Sequence, residues 1–267
     1  MRAFRVAYDG RPYYGFQRQP SVPTVEGVLF DALRALDVLA ADDEKPPGYA
    51  AAGRTDAGVS AVRQTVAFEA PDWLSPRAFN SQLPAHVRVW ASADVPADFH
   101  ATHHARSRTY VYHLYGPDLD DDRVHDACDR LRGRHDFHNL TPDERNTVRD
   151  LAVDVERDGD YVVLTLRAGG FCRELVRRIV SLVDAVGAGT SPVDKVDRVL
   201  GPEPVSGPEG VPPAPAHPLV LADADYDVDF EPDAQAVAST REIFEEKHVE
   251  WRTRSRVADE VVSRTDT

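Results

Sequence analysis

Cysteine is scarce: Cys128 and Cys172 are the two in 267 residues. That is too few for a disulfide framework or a thiolate zinc site. Lysine is nearly as rare, with only Lys45, Lys195 and Lys247, so the other basic groups are arginines. No apolar run reaches the length of about 18 residues needed for a membrane span, and the opening Met-Arg-Ala-Phe-Arg has neither the apolar stretch nor the cleavage site of a secretory signal. The expectation is a chain without membrane spans, working in a reducing cytoplasm. Phosphate-binding loops, dinucleotide glycine motifs and zinc patterns are also missing, so chemistry without cofactor or metal is expected.

Negative charge, by contrast, is abundant. Forty-five acidic residues against 31 basic ones give a formal charge of −14. A surface rich in carboxylates and poor in lysine points to adaptation to concentrated salt, which screens the self-repulsion. Such a balance argues against nucleic-acid binding unless the arginines are gathered in one place. With 42% apolar residues the chain can bury a sizeable core.

Periodicity and breakers predict a strand at 3–9, a helix at 24–40, strands at 49–53 and 64–69, a helix opened by Ser75-Pro76, and a strand at 87–94. The second half repeats the order, with strand 108–115, helix 122–132, strands 150–156 and 160–167, helix 171–187, a short helix at 192–200 and strand 218–228. Two βαββαβ runs predict an α+β fold of two ferredoxin-like halves, 1–98 and 99–230. They are expected to join into one broad, mainly antiparallel sheet with helices on one face and a catalytic cleft on the other. A charged, helical tail covers 231–267.

Three segments carry candidate chemistry. Gly53-Arg54-Thr55-Asp56-Ala57-Gly58 sets an arginine and an aspartate two apart in a glycine-flanked turn. Asp56 reads either as a cap for neighbouring amides or as a nucleophile held by an arginine. Phe99 to Tyr112 holds Arg106 and Arg108, several histidines and no acid, then enters a strand where Tyr110 and Tyr112 share a face. This suits a polyanion and a stacked base, or simply a pair of core tyrosines. In Phe171 to Val180 an apolar helical stripe leaves Arg173 and Arg177 together on another face, either solvated or reaching an aspartate or phosphates.

Two further patterns lead elsewhere. His100, His103, His104, His135 and His138 lack a carboxylate or cysteine at ligand spacing and read as structural or RNA-facing. Asp223, Asp225, Asp227 and Asp229 alternate with apolar residues, which describes a strand with an acidic, solvated face rather than a calcium loop.

Taken together, these segments resemble the TruA family, the tRNA pseudouridine synthases of the anticodon arm, from about residue 3 to 228. The resemblance rests on Tyr8-Asp9-Gly10, Tyr14-Gly15-Phe16-Gln17-Arg18-Gln19, Gly53-Arg54-Thr55-Asp56-Ala57-Gly58-Val59, Arg108-Thr109-Tyr110-Val111-Tyr112, Phe171 with Val176-Arg177, and Leu219-Val220-Leu221 before Tyr226. It implies isomerisation of uridine to pseudouridine at tRNA positions 38 to 40, by base flipping and a homodimeric enzyme. Asp56 matches the catalytic nucleophile and Arg54 the arginine that helps to hold the flipped nucleotide's place. Tyr110 matches the tyrosine stacked on the target base, Arg177 the aspartate's partner and Leu219 an apolar wall. A basic groove holding Arg54, Arg106, Arg108, Arg173 and Arg177 is then expected. Phe16, Ser60 and Thr102 depart from the family's usual tryptophan, histidine and arginine. A non-catalytic RNA-binding module leaves Asp56 unexplained, and an aspartate hydrolase would want a metal or a second positioned acid.

Overall fold

The computed structural model describes residues 1–265. Strand β1 (Arg2–Tyr8) turns Phe4, Val6 and Tyr8 to one buried face. Helix α1 (Val25–Ala35) starts where the Thr24 hydroxyl accepts the Gly27 N–H at 3.2 Å, satisfying one of the unpaired donors of the first turn. There follow β2 (Ala50–Ala51), β3 (Ser60–Phe68), α2 (Pro76–Asn80), capped by Ser75, and β4 (Val87–Asp94). The second half comprises β5 (Ser107–Tyr115), α3 (Asp121–Leu131), β6 (Gly133–Asp136), β7 (Val148–Asp158), β8 (Tyr161–Ala168), α4 (Leu175–Gly187), α5 (Asp194–Leu200) and β9 (Leu219–Asp225). Strand β10 (Glu231–Pro232) and helix α6 (Ala234–Thr265) close the described chain.

Among the described residues, ten strands make one sheet in the order β10-β4-β1-β3-β9-β5-β8-β7-β6, with β2 beside β3. The runs β4-β1-β3-β2 and β9-β5-β8-β7 have the same crossed order, so the α+β class with two ferredoxin-like halves in one sheet is realised. Every pairing is antiparallel except the junction of the halves, where β3 and β9 run parallel through Ser60 beside Val220 and Ala61 beside Leu221. Strand β2 takes the other end of the same β3 edge, opposite Val66 and Ala67. The loop 52–59 emerges where these two neighbours diverge.

Both halves bury the same face of the sheet under helices. Leu29 and Leu33 of α1 cluster with Phe4, Val6 and Tyr8, while Ile179 and Val183 of α4 cluster with Leu164, Leu166 and Tyr112. Tyr110 packs against both clusters, so it lies on the helix-bearing face between the two helical layers. The cleft described below opens there, which corrects the expectation that it would occupy the uncovered face. In the first half that other face is already covered, since Phe99 and Ala101 of the connecting segment pack on Ala3, Ala67 and Tyr226.

Element ends differ from the sequence reading for local reasons. Helix α1 stops at Ala35, not residue 40, because Asp37 adopts φ 56° and the Val38 and Leu39 N–H groups turn back onto the Leu33 carbonyl. Helix α4 begins at Leu175, not 171, because Glu174 sits at φ 60°. The last long strand ends at Asp225 rather than 228. Strand β6 is polar and half exposed, leaving no apolar alternation to announce it. Helix α6 is started by the Asp233 carboxylate, which accepts the Gln235 and Ala236 N–H groups at 3.0 Å. Residues 266 and 267 of the expected tail lie outside the described residues.

Candidate active site

Loop 52–59 is held mainly by backbone hydrogen bonds and presents Asp56 and Arg54 to the cleft. The Ala52 N–H donates to the Thr65 carbonyl, and Gln64 Nε2 donates to the Gly53 carbonyl at 2.9 Å. The Thr55 carbonyl accepts the Phe16 N–H at 3.0 Å, while its hydroxyl pairs with the buried Tyr8 phenol at 2.8 Å. Gly58 turns the chain at φ 84°, a conformation that costs glycine little. Its N–H donates to the Tyr13 carbonyl, and the Val59 N–H returns to the Asp56 carbonyl. Of the two readings of Asp56, the capping one does not hold for its carboxylate, which is hydrogen-bonded to Arg177.

Arg177, on the first turn of α4, donates from Nη1 to Asp56 Oδ2 at 3.2 Å. The Arg177 and Asp56 side chains are 16% and 29% exposed, low enough for the pair to count and open enough on the acid for a reactant to approach. Its Nε donates to the Ala214 carbonyl at 2.7 Å. Tyr110 stands across the cleft with its ring edge-on to Phe171, 5.1 Å between centres and 88° between planes. Burial, and then the charge of Asp56, push its phenol up to about 12 against the opposing pull of Arg108. It is therefore neutral at physiological pH. Leu219 supplies a buried apolar wall.

The cleft these residues line measures about 1740 Å³. Small-molecule sites take roughly 300–1,000 Å³. There is room for a nucleotide with its neighbours.

The structure brings Asp56, Arg54, Tyr110, Arg177, Arg173 and Leu219 to this one cleft. Arg54 is exposed and makes no side-chain hydrogen bond or ion pair among the described residues. Arg173 reaches Asp143 at 3.6 Å but remains largely exposed. Two of the expected groove arginines are spent elsewhere. Arg106 does not line the cleft: it pairs with Asp225 at 3.1 Å and Asp227 at 3.4 Å and donates to the Tyr226 carbonyl. Arg108 borders the cleft, yet its guanidinium is buried and donates to the carbonyls of Ala52, Gly169 and Thr102, fastening loop 52–59 to the second half.

The acidic strand is likewise not simply solvated, for Asp223 meets Arg5 and Arg63 at 3.6 Å and Asp225 meets Arg106. The departures at Phe16, Ser60 and Thr102 have local uses. Phe16 is buried in the core, the Ser60 hydroxyl accepts the Gly10 N–H, and the Thr102 hydroxyl donates to the Ala51 carbonyl. His100 borders the cleft and stacks on His103. No group of three or more histidines, cysteines or carboxylates suited to a metal occurs among the described residues.

Sequence reasoning passed over Tyr14, Lys45 and Arg149, which also line the cleft. The scarcity of lysine could have singled out Lys45; nothing local marks Arg149.

A loop carboxylate hydrogen-bonded to a helix arginine and a neutral tyrosine thus line one cleft with room for a nucleotide. A family model described as tRNA pseudouridine synthase matches residues 127–227. The chain is 59% identical over 271 residues to tRNA pseudouridine synthase A of Haloarcula marismortui, covering 98% of each. It is 60% identical over 265 residues to the Halobacterium salinarum protein of the same name, again with 98% of each covered. Among solved structures, an archaeal box H/ACA Nop10–Cbf5 complex aligns at 19% identity and TM-score 0.35 over 67% of this chain and 45% of that one, too remote to bear on the fold. The chain belongs to the tRNA pseudouridine synthase A family. It is an isomerase that acts on uridine in tRNA.

Proposed function

We infer that the uridine lies in the anticodon stem-loop, at positions 38, 39 or 40, and that Asp56 is the nucleophile. The observation that carries this reading is the Asp56 carboxylate, partly open to the cleft and 3.2 Å from Arg177 Nη1. A uridine stacked in a stem shields its reacting atoms, so the base must swing out into the cleft. Arg54, which is exposed and has no side-chain partner among the described residues, helps to hold the flipped nucleotide's place. Tyr110 stacks on the extruded base against the Leu219 wall, and Arg173 meets a phosphate.

The carboxylate adds to the nucleotide at sugar C1′ or base C6. The N1–C1′ bond breaks, the base rotates, a C5–C1′ bond forms, and the bond to the carboxylate breaks to free Asp56. The proton lost from C5 is balanced by one gained at N1, so the isomerisation is redox-neutral. Tyr110, a neutral phenol, can relay the C5 proton only by passing its own hydroxyl proton on in the same step, for which the Asp56 carboxylate, once released from the nucleotide, is the acceptor at hand.

In this reading residues 1–98 and 99–230 form the two walls of the cleft and 231–267 an appended helix. The enzyme is a cytoplasmic homodimer in which one tRNA touches both subunits. The excess of 45 acidic over 31 basic residues suits it to concentrated salt. No helix among the described residues is long and apolar enough to cross a membrane.

Asp56→Asn tests the assignment. The variant is expected to fold and bind tRNA while forming no pseudouridine, as read by mapping modified positions in an anticodon stem-loop; appreciable turnover would defeat the nucleophile role.

A further inference from the structure

Helix α6 touches no reacting group, yet it ends a chain of contacts that leads to the catalytic loop. Asp9, directly after β1, is 3% exposed and meets two cations. Arg11 donates from Nε and Nη2 to its two oxygens at 3.0 Å. Lys247 of α6, 238 residues further along the chain, donates from Nζ to Oδ2 at 3.3 Å and is itself only 14% exposed. One turn beyond Lys247, the Trp251 ring lies 3.9 Å from the Arg11 guanidinium. Burial works to raise the Asp9 carboxyl, but the hydrogen bonds from Arg11 and Lys247 outweigh it and hold it below the usual carboxylate range. Breaking one member of such a set leaves a desolvated charge unpaired.

The segment gripped in this way is the one that braces loop 55–60. The Gly10 N–H donates to Ser60 Oγ at 3.0 Å. Gly10 also packs so closely that a Cβ there would stand 1.9 Å from the Val59 carbonyl oxygen. Tyr13 accepts from Gly58, and Phe16 donates to Thr55. Asp56 is thus flanked on both sides by backbone that hangs from residues 10–16.

We propose that Lys247 and Trp251 of α6 are positioning residues for Asp56, acting through the Asp9–Arg11 segment. This rests on the reading of Asp56 as the nucleophile. The helix clamps residues 9–11, residues 10–16 fix the loop, and the loop aims the carboxylate. Loosening the clamp misplaces the acid without altering the surface that meets RNA, because Asp9, Lys247 and Trp251 lie outside the cleft lining.

The test uses the full chain with K247Q, K247R, D9N, W251L and the D9N/K247Q pair, measuring single-turnover rate at saturating tRNA, tRNA affinity and melting temperature. A small misplacement of a reacting group costs up to about a hundredfold, so K247Q is expected to slow the rate about tenfold or more. Affinity should stay within about twofold, K247R should restore most of the rate, and the double variant should be no slower than the slower single one, since both act through one bridge.

A folded K247Q whose rate is unchanged overturns the proposal. So does a K247Q that loses tRNA affinity at an unchanged rate, which would make α6 an RNA contact. If D9N fails to fold, K247Q and W251L still decide, because Arg11 remains on Asp9 in both. D56N run alongside keeps the two readings apart: turnover by D56N removes the nucleophile, whereas slowing by K247Q registers separately.

Discussion

Arg177 is held independently of the acid it serves: Nη1 donates to Asp56 at 3.2 Å while Nε is committed to the Ala214 carbonyl at 2.7 Å. The guanidinium therefore has a second anchor that does not depend on the Asp56 charge. A lysine ammonium is a point charge that lacks the fork needed to reach both partners. Removing one preorganised donor from a reacting centre costs about 100- to 1,000-fold. R177K is expected to fall in that range and R177M below it in single-turnover rate, with tRNA affinity changed much less.

Tyr110, pushed up to about 12 chiefly by burial, stays a neutral phenol through pH 10. Its ring-carbon shift in tyrosine-labelled protein, assigned with Y110F, should remain that of the protonated form there. The sign of the linkage follows: the unfolded phenol ionises near pH 10 and the folded one later, so stability is lost as pH rises between about 10 and 12. Y110F should flatten that part of the stability profile. If the hydroxyl also moves the C5 proton, Y110F will bind tRNA normally and turn over slowly.

Arg108 answers to stability rather than to RNA. Its guanidinium serves the Ala52, Gly169 and Thr102 carbonyls, and R108M would leave those acceptors unpaired at a cost of about 3 kcal/mol or more. Chemical denaturation should show the loss. The fraction that remains folded should bind tRNA with the salt dependence of the parent.

Arg54 should behave in the opposite way. It is exposed and, among the described residues, without a side-chain partner, so R54A should leave the melting temperature unchanged, weaken tRNA binding and lower the slope of log affinity against log salt by about one. Arg106→Ala, with its partners at and just beyond the end of β9, should change neither slope nor affinity.

The parts of the site that were legible in the sequence are those encoded locally. Asp56 announces itself by its glycine-bearing turn, and Tyr110 by strand alternation that puts it on the face of Leu164 and Leu166. The family resemblance supplied Arg177. Arg106 and Arg108 were misread because a guanidinium's partner decides its role, and those partners, Asp225 and the Ala52 and Gly169 carbonyls, come from distant parts of the chain. The side on which the cleft opens was misjudged for a related reason. Element order gives two helix-backed halves, but it does not show that the segment around Phe99 and Ala101 covers the other face. The Lys247–Asp9 contact joins the two ends of the chain and leaves no local signature.

The arginines tied to main-chain oxygens carry a consequence for how this molecule tolerates ions. Arg5, Arg108, Arg177 and Arg178 each send a guanidinium nitrogen to a carbonyl at 2.6 or 2.7 Å from Ala224, Gly169, Ala214 and Val211 or Ala52. Such cross-braces are wholly or partly buried and so are screened less by dissolved ions than pairs on the outside. Exchanging peripheral aspartates and glutamates for neutral groups is therefore expected to change how melting temperature varies with salt while leaving these braces in place.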